Sequence, residues 1–181
     1  MMTDRRVLEI GAGQSPDPRA TETLDIRDDL DHIDYGGVDV GKDRLPLEAD
    51  SVDLLVANHV IEHVPSEAIS HLFSEIDRVV RPSGRLHVII PHAGTWQAAT
   101  DPTHQGTGGW TPDVVKYFTG ELEEYFPELE WDVEAQANLS FPLFLRENRR
   151  LRFSVSRGDI SNELVKLPFV SGEVEFNAII H

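Results

Sequence analysis

The chain has 181 residues, a length that fits one domain built around a single hydrophobic core. It contains no cysteine, which excludes disulfides, thiolate nucleophiles and zinc–thiolate sites. The net charge of −16 disfavours nucleic acid as a partner, because contacts to phosphate require Lys and Arg.

Apolar runs separated by turn residues predict seven strands, which alternate with helices over the first half of the chain. This alternation favours a parallel sheet covered by helices. The predicted strands are residues 6–10, 23–26, 35–40, 52–57, 86–90, 131–139 and 174–180.

Two helices are predicted. Apolar residues at helical spacing predict the first from about Ser66 to Arg81, where Pro82 and Gly84 follow. The second begins at Thr111-Pro112, because threonine is a good N-cap and proline suits the first helical position. No repeat or linker divides the chain, so we expect a single domain over residues 1–181.

A glycine-rich turn directly follows the first predicted strand, where doubly wound folds bind a nucleotide. Gly11 and Gly13 allow the backbone to turn sharply and to approach a ligand closely. Asp25, at the end of the second strand, can accept hydrogen bonds from both hydroxyls of a ribose. Taken alone, the two glycines also fit a plain tight turn, and Asp39 also fits a surface carboxylate.

Five motifs in order carry a resemblance to class I S-adenosylmethionine (SAM) dependent methyltransferases. Glu9-Ile10-Gly11-Ala12-Gly13 resembles their first motif, acid-x-Gly-x-Gly. Leu24–Ile26 is similar to their ribose motif, and Val38–Val40 is similar to their adenine motif. Ser51–Val64 resembles their fourth strand with its loop, and Arg78–Leu86 resembles the turn into their fifth strand. The resemblance covers about residues 6–119.

The resemblance implies a three-layer, Rossmann-like, doubly wound α/β fold. Its sheet is mostly parallel and seven-stranded, with the final strand antiparallel. Asp25 follows Gly13 by only twelve positions, and Pro16 and Pro18 lie between them. This predicts a shortened first helix, or a proline-containing loop in its place, as in a short, type-11-like subgroup.

The resemblance also implies SAM as the cofactor. The residues expected to bind it are Glu9, Gly11, Ala12, Gly13, Asp25, Ile26, Asp39, Val40, Asn58 and His59.

The acceptor side of such a site lies in loops beyond the carboxyl ends of the strands. Candidates there are His63, His92, His104 and Trp110. His59 or His104 could serve as a general base, because histidine titrates near neutral pH. A histidine that only holds a loop or contacts the cofactor fits the same positions, and methyl transfer does not require a base.

Residues 59–63 also match H-x-x-E-H, an inverted zinc-hydrolase signature. That signature requires a helix with both histidines on one face, whereas this segment leaves a strand. We therefore predict no metal ligands, and a bound divalent ion stays an alternative.

Residues of about 140–172, between the last two predicted strands, are interpreted as an insertion that covers the acceptor or forms a dimer contact. A basic cluster falls there and could bind an anionic acceptor or pair with neighbouring acids: Arg146, Arg149, Arg150 and Arg152.

The predicted function is methyl transfer from SAM to a small-molecule or glycan-like acceptor. One alternative is a SAM-binding accessory module without catalysis of its own. Another is a nucleotide-sugar or NAD enzyme on the same fold. A homodimer is left open.

The bulk sequence predicts a cytoplasmic protein. No apolar run approaches the roughly 20 residues that cross a bilayer, and the N-terminus lacks a signal-peptide pattern. Only three of the 16 basic residues are lysine, against 32 acidic residues, a balance that resembles proteins of salt-loving organisms.

Overall fold

The computed structural model describes residues 5–105, 109–119, 122, 125–142, 150–156 and 171–181. Its strands are β1 (Val7–Ile10), β2 (Glu22–Asp25), β3 (Tyr35–Gly36), β4 (Val52–Asn58), β5 (Val80–Pro91), β6 (Trp131–Pro142), β7 (Arg150–Val155) and β8 (Ser171–Ile180). The α-helices are α1 (Ile69–Val79) and α2 (Trp96–Thr100). Short 3₁₀ helices cover Ile61–His63, Ser66–Ala68 and Pro112–Tyr117. In the part of the chain described, no helix is both long and apolar enough to cross a membrane.

All eight strands form one sheet in the order β3-β2-β1-β4-β5-β8-β6-β7. Strands β1 to β5 are mutually parallel, and β8 runs antiparallel to both β5 and β6. The winding direction reverses between β1 and β4, which makes that crevice the topological switch point where α/β sheets bind ligands. Because β8 is antiparallel, its first residues lie at the same edge as the carboxyl ends of β1, β2, β4 and β5.

The seven predicted strands are all present, and the predicted antiparallel final strand is confirmed. The predicted count of seven is short by one, because β7 pairs with β6 at the edge of the sheet. β7 lies in the region interpreted as an insertion. The third strand is only two residues long, Tyr35–Gly36, rather than 35–40.

One face of the sheet carries the main core. Alternate residues of each strand point to it, as the pleat requires, and α1 packs against them. The helix contributes its buried stripe, which has helical spacing: Ile69, Leu72, Phe73, Ile76 and Val79. Phe73 lies at the centre of an aromatic cluster, with its ring centroid 5.3–6.4 Å from those of Trp110, Phe118, Phe126 and Trp131.

The opposite face of the sheet has a smaller apolar cluster and more polar side chains. It has a small apolar cluster of Val7, Leu54 and Val56, and beyond it a set of hydrogen-bonded polar side chains. His87 Nδ1 lies 2.9 Å from Asn177 Oδ1 in that set. Within the described ranges, α1 is the only α-helix longer than five residues, and it packs on the first face. The helical third layer that was predicted is therefore not formed by the described residues.

The connection from β1 to β2 explains part of this difference. Residues 11–21 form turns and contain no helix, so the connection is the proline-containing loop that was predicted as the alternative to a shortened first helix. The second predicted helix does begin at Thr111-Pro112, and the Thr111 hydroxyl accepts a hydrogen bond from Asp113 N. It is a 3₁₀ helix of six residues.

Replacing Phe73 tests the core assignment. We expect Phe73→Ala to lower the free energy of unfolding by about 3–5 kcal/mol, because it leaves a cavity among four aromatic rings. Ser74→Ala, on the exposed side of the same helix, is the matched control and should stay within about 0.5 kcal/mol of the wild type. Urea unfolding followed by circular dichroism measures both. A loss below about 1 kcal/mol for Phe73→Ala would contradict the packing described.

Candidate functional site

The turn after β1 has the strained backbone that its glycines permit. Gly11 has φ +63° and Gly13 has φ +54°, both in the left-handed region. A Cβ added to Gly11 would lie 2.2 Å from Val60 Cγ2, whereas one added to Gly13 would meet nothing closer than 4.0 Å. The two glycines are therefore required for different reasons, Gly11 for close packing as well as for its φ.

Asp25 ties this turn to the end of β2. Its Oδ2 accepts a hydrogen bond of 2.8 Å from Gly13 N, and its Oδ1 accepts one of 2.8 Å from Arg27 N. The Asp25 residue is only 6% exposed. The carboxylate therefore fixes two backbone segments from a single buried position.

A second carboxylate holds the remainder of the loop. Glu9 is buried in β1, and its Oε2 accepts a hydrogen bond of 2.6 Å from Asp17 N. Burial raises the pKa of Glu9. Asp17 in turn pairs with Arg19 at 2.7 Å, which lowers the pKa of Asp17, and accepts a hydrogen bond from Asn58 Nδ2. Glu9 and Asn58 thus support the loop from behind.

A cavity of about 480 Å³ opens at the carboxyl edge of the sheet, beside the switch point. Seven residues predicted from the sequence line it: Gly11, Asp25, Ile26, Asp39, Val40, His59 and His63. This volume lies within the range of small-molecule sites. The structure therefore brings together side chains from four separate parts of the sequence at one opening.

The far wall of the cavity combines an apolar surface with a charged pair. Ile26 is 64% exposed, unusual for a large aliphatic side chain, and it faces this opening. Asp39 Oδ1 accepts a hydrogen bond of 3.0 Å from Gly41 N, and its Oδ2 lies 2.7 Å from Lys42 Nζ. The Lys42 ammonium lowers the pKa of Asp39, so this carboxylate is ionised at neutral pH.

His59 occupies the turn after β4 with φ +54°, a left-handed conformation that is uncommon outside glycine. Its Nε2 lies 3.2 Å from Glu173 Oε1 and its Nδ1 lies 3.3 Å from Glu62 Oε1. These two carboxylates, Glu173 first, raise the pKa of His59 to about 9. A ring that is already protonated at neutral pH has no lone pair for a proton, which argues against His59 as a general base.

Other predicted residues do not line this cavity. Glu9, Ala12, Gly13 and Asn58 support it without lining it. Trp110 is buried in the core against Phe73 and Phe176 and borders a separate, apolar cavity of about 520 Å³.

His92 is also buried, with its Nδ1 on the Ala93 carbonyl at 2.7 Å, and burial lowers its pKa. A further cavity of about 820 Å³ lies on the second sheet face beside Arg85 and His87 and touches none of the predicted site residues.

His104 lies near the cavity but is held by its own loop. Its Nδ1 lies 2.9 Å from the Ala98 carbonyl, and its ring meets that of His63. Of the predicted basic cluster, Arg146 and Arg149 lie outside the described residues, as do the side chains of Arg150 and Arg152.

Sequence reasoning missed three participants. Val60 packs against Gly11, Asp17 bridges Glu9 to Asn58, and Glu173 pairs with His59. Asp17 had a local signal, since an acid in a proline-rich loop beside a buried strand carboxylate is a candidate for bridging. Glu173 had none, because its position depends on β8 lying beside β5 with Glu173 opposite Pro91.

Comparison with known proteins places this site in context. Residues 9–88 match the family described as a methyltransferase domain. No curated protein sequence matches the chain. Among solved structures, a SAM-dependent methyltransferase from Archaeoglobus fulgidus superposes with a TM-score of 0.61 at 18% identity, covering 97% of this chain and 86% of that one.

Two further structures agree. The YcgJ protein from Bacillus subtilis gives a TM-score of 0.55 at 13% identity, covering 98% of this chain and 92% of that one. The methyltransferase CalH, solved in complex with SAH, gives 0.50 at 16% identity, covering 98% of this chain and 51% of that one.

At these identities the superpositions establish the fold, which is the Rossmann-like class I methyltransferase fold. The matched segment contains every residue that lines the cavity except Gln105, which lies on the later loop. The methyltransferase match and these neighbours support SAM as the cofactor.

The two glycines of the turn give a direct test of the site geometry. Gly13→Ala should lower the free energy of unfolding by about 1–2 kcal/mol, the cost of left-handed backbone for an L-residue. Gly11→Ala should cost more, because its Cβ would also overlap Val60. Adding Val60→Ala to Gly11→Ala should recover part of the difference.

Urea unfolding of the three variants and the wild type measures these effects. Equal losses for Gly11→Ala and Gly13→Ala would show that the contact with Val60 does not constrain the turn.

Proposed function

We propose that this chain is a class I SAM-dependent methyltransferase whose cavity at the carboxyl edge of the sheet binds SAM. The observation that carries the proposal is that one cavity is bordered by the Gly11 turn, the end of β2 and the turn after β4. Those are the places where a doubly wound sheet binds a nucleotide-like ligand. The match of residues 9–88 to a methyltransferase domain supports the same assignment.

The residues around the cavity fit this cofactor. Each Asp25 oxygen accepts one backbone N–H and keeps a further lone pair, so the carboxylate can accept hydrogen bonds from two ribose hydroxyls. The exposed Ile26 side chain offers an apolar surface for the adenine ring. Asp39 is ionised and would accept a hydrogen bond from the adenine amino group. Gly11 lines the cavity, and the absence of its Cβ makes room for Val60, which lines the cavity beside it.

When bound, SAM supplies a methyl group activated by positively charged sulfur. The contribution of the chain is then to hold the acceptor in line with that methyl group and to exclude water, which can account for much of the acceleration. His104 is the proposed general base if the acceptor needs to lose a proton. Its Nδ1 faces a carbonyl and therefore carries the hydrogen, which leaves Nε2 free to accept one.

The acceptor, the oligomeric state and the cellular location are also part of this proposal. The acceptor is a small molecule or a glycan-like compound. A homodimer and a cytoplasmic location are proposed with it, and most of the predicted insertion of about 140–172 lies outside the described residues.

Calorimetry with SAM, S-adenosylhomocysteine and NAD tests the cofactor assignment. We expect the chain to bind the first two compounds and not NAD. Asp25→Asn should weaken SAM binding about tenfold to a hundredfold, because a hydrogen bond to a charged group contributes about 1.5–3 kcal/mol.

The matched control is Asp29→Asn in the same loop, since Asp29 is exposed and pairs only with Arg27 among the described residues. Its affinity for SAM should stay within about twofold of the wild type. Binding of NAD without SAM would overturn the assignment. SAM binding without methyl transfer to any acceptor would favour an accessory module.

We also propose a halophilic source, on the composition. The chain has 32 acidic residues and only three lysines, with a net charge of −16. At low salt these like charges repel one another and oppose the compact state.

The melting temperature should therefore rise as KCl increases from about 0.1 M to 2 M, where the Debye length falls from about 10 Å to below 3 Å. Differential scanning calorimetry at several KCl concentrations measures it, with a sucrose series at low salt to separate screening from general exclusion effects. A melting temperature independent of KCl would count against a halophilic origin.

A further inference from the structure

Three side chains meet beside the cofactor cavity. The methyl-transfer proposal uses only His104, as a general base, a role that its Nε2 can fill only while its lone pair is not bound to another group. Glu62 and His63 end the 3₁₀ helix after β4, and His104 lies on the loop after α2. One nitrogen or carboxylate oxygen from each residue lies within 4.8 Å of those from the other two. The His63 and His104 rings meet edge to face, with centroids 4.9 Å apart.

Hydrogen bonds to the loop fix which nitrogen each histidine presents. His63 Nδ1 lies 3.3 Å from the Thr103 carbonyl and 3.1 Å from the Thr103 hydroxyl, which itself donates to Asp101. His104 Nδ1 lies 2.9 Å from the Ala98 carbonyl. Because carbonyl oxygens only accept, both Nδ1 atoms carry the hydrogen and both Nε2 atoms keep a lone pair. Metal-binding histidines are commonly oriented in this way, with the second nitrogen on a carbonyl.

Glu62 supplies an unsatisfied anionic oxygen. The residue is 1% exposed, and its Oε2 is buried without a hydrogen-bond partner among the described residues. Its Oε1 is 3.3 Å from His59 Nδ1, and its backbone carbonyl accepts a hydrogen bond from Gln105 N. That last bond attaches the loop of His104 to the helix of Glu62. A buried carboxylate oxygen without a partner is costly unless a cation or a donor reaches it.

We propose that Glu62, His63 and His104 form a binding site for a divalent transition-metal ion. Two imidazole nitrogens and one carboxylate oxygen suit zinc, cobalt, iron or manganese better than calcium or magnesium, which prefer all-oxygen sites. Three protein ligands leave at least one coordination position open. In the loop of His104, Asp101 Oδ2 lies 3.9 Å from His104 Nε2.

The geometry needs only a small adjustment. With metal–nitrogen bonds of about 2.0–2.1 Å, ligand atoms in a tetrahedral site are about 3.4 Å apart, so separations of up to 4.8 Å would close by at most about 1.4 Å. His63 lines the cofactor cavity, which puts the proposed ion at the border between that cavity and the loop of His104. An oxygen or nitrogen of an acceptor could bind the open position there.

Cobalt binding by the full chain tests the proposal. The protein is treated with EDTA, dialysed into 2 M KCl to screen diffuse binding to its many carboxylates, and titrated with Co²⁺ while visible absorption is recorded. We expect ligand-field bands that saturate at one equivalent and disappear when Zn²⁺ is added. Calorimetry with Zn²⁺ then gives the affinity.

Variants identify the ligands. Glu62→Gln keeps the shape of the side chain and removes its charge, and His104→Ala removes one nitrogen. Each should weaken Zn²⁺ binding by at least about tenfold. The matched control is His181→Ala, since His181 follows β8 at the opposite edge of the sheet and pairs with Asp132. Its affinity should equal that of the wild type, and circular dichroism verifies the fold of all three.

Two outcomes would overturn the site. One is the absence of ligand-field bands from the wild-type chain, which requires no variant to fold. The other is equal Zn²⁺ affinity in Glu62→Gln, His104→Ala and His181→Ala, which would indicate diffuse binding by surface acids. SAM titration of the metal-free chain is run in parallel, so that a failure of this site remains separate from a failure of the cofactor assignment.

Discussion

The carboxylate of Asp25 is the constraint on which the cofactor side of this fold depends. In a doubly wound sheet the turn after the first strand is ordinarily backed by a helix, whereas residues 11–21 of this chain contain none. The turn is held instead by Asp25, which accepts a hydrogen bond from Gly13 N at 2.8 Å. The loop that follows is held by Glu9 through Asp17 N. Two buried carboxylates thus replace the support that a helix would give.

This replacement has a consequence for binding. A helix after the turn would direct its N-terminal amides and its dipole toward an anionic part of the ligand. Here the Gly13 and Asp17 amides are already used by carboxylates, so the loop offers fewer donors to the methionine carboxylate of SAM. His59, which two carboxylates keep protonated, lines the cavity at the turn after β4. The methionine end is therefore expected to depend more on this cation than on the turn.

Local sequence patterns were sufficient to predict the features that depend on residues close together in the chain. Glycines after a short apolar run, an acid at the end of β2 and a helical stripe ending before Pro82 each depend on a few neighbouring residues. The rest depends on pairings distant in sequence. Glu173 reaches His59 only through the β5–β8 register, and β7 forms only where β6 offers an edge. Tyr35–Gly36 ends early because the chain turns away at Gly37, with φ +77°.

The structure of residues 59–63 depends both on the local sequence and on contacts with residues that are distant in the sequence. The left-handed conformation of His59 turns the chain after β4, so that Val60 packs on Gly11 and Ile61 enters the core. Glu62 and His63 then face the loop of His104. The zinc-hydrolase signature H-x-x-E-H requires both histidines on one helical face. In the structure His59 is held by Glu173, and the second histidine of the proposed metal site is His104, on a loop about 40 residues after His63. The spacing of residues within the motif could not predict that His63 and His104 lie together.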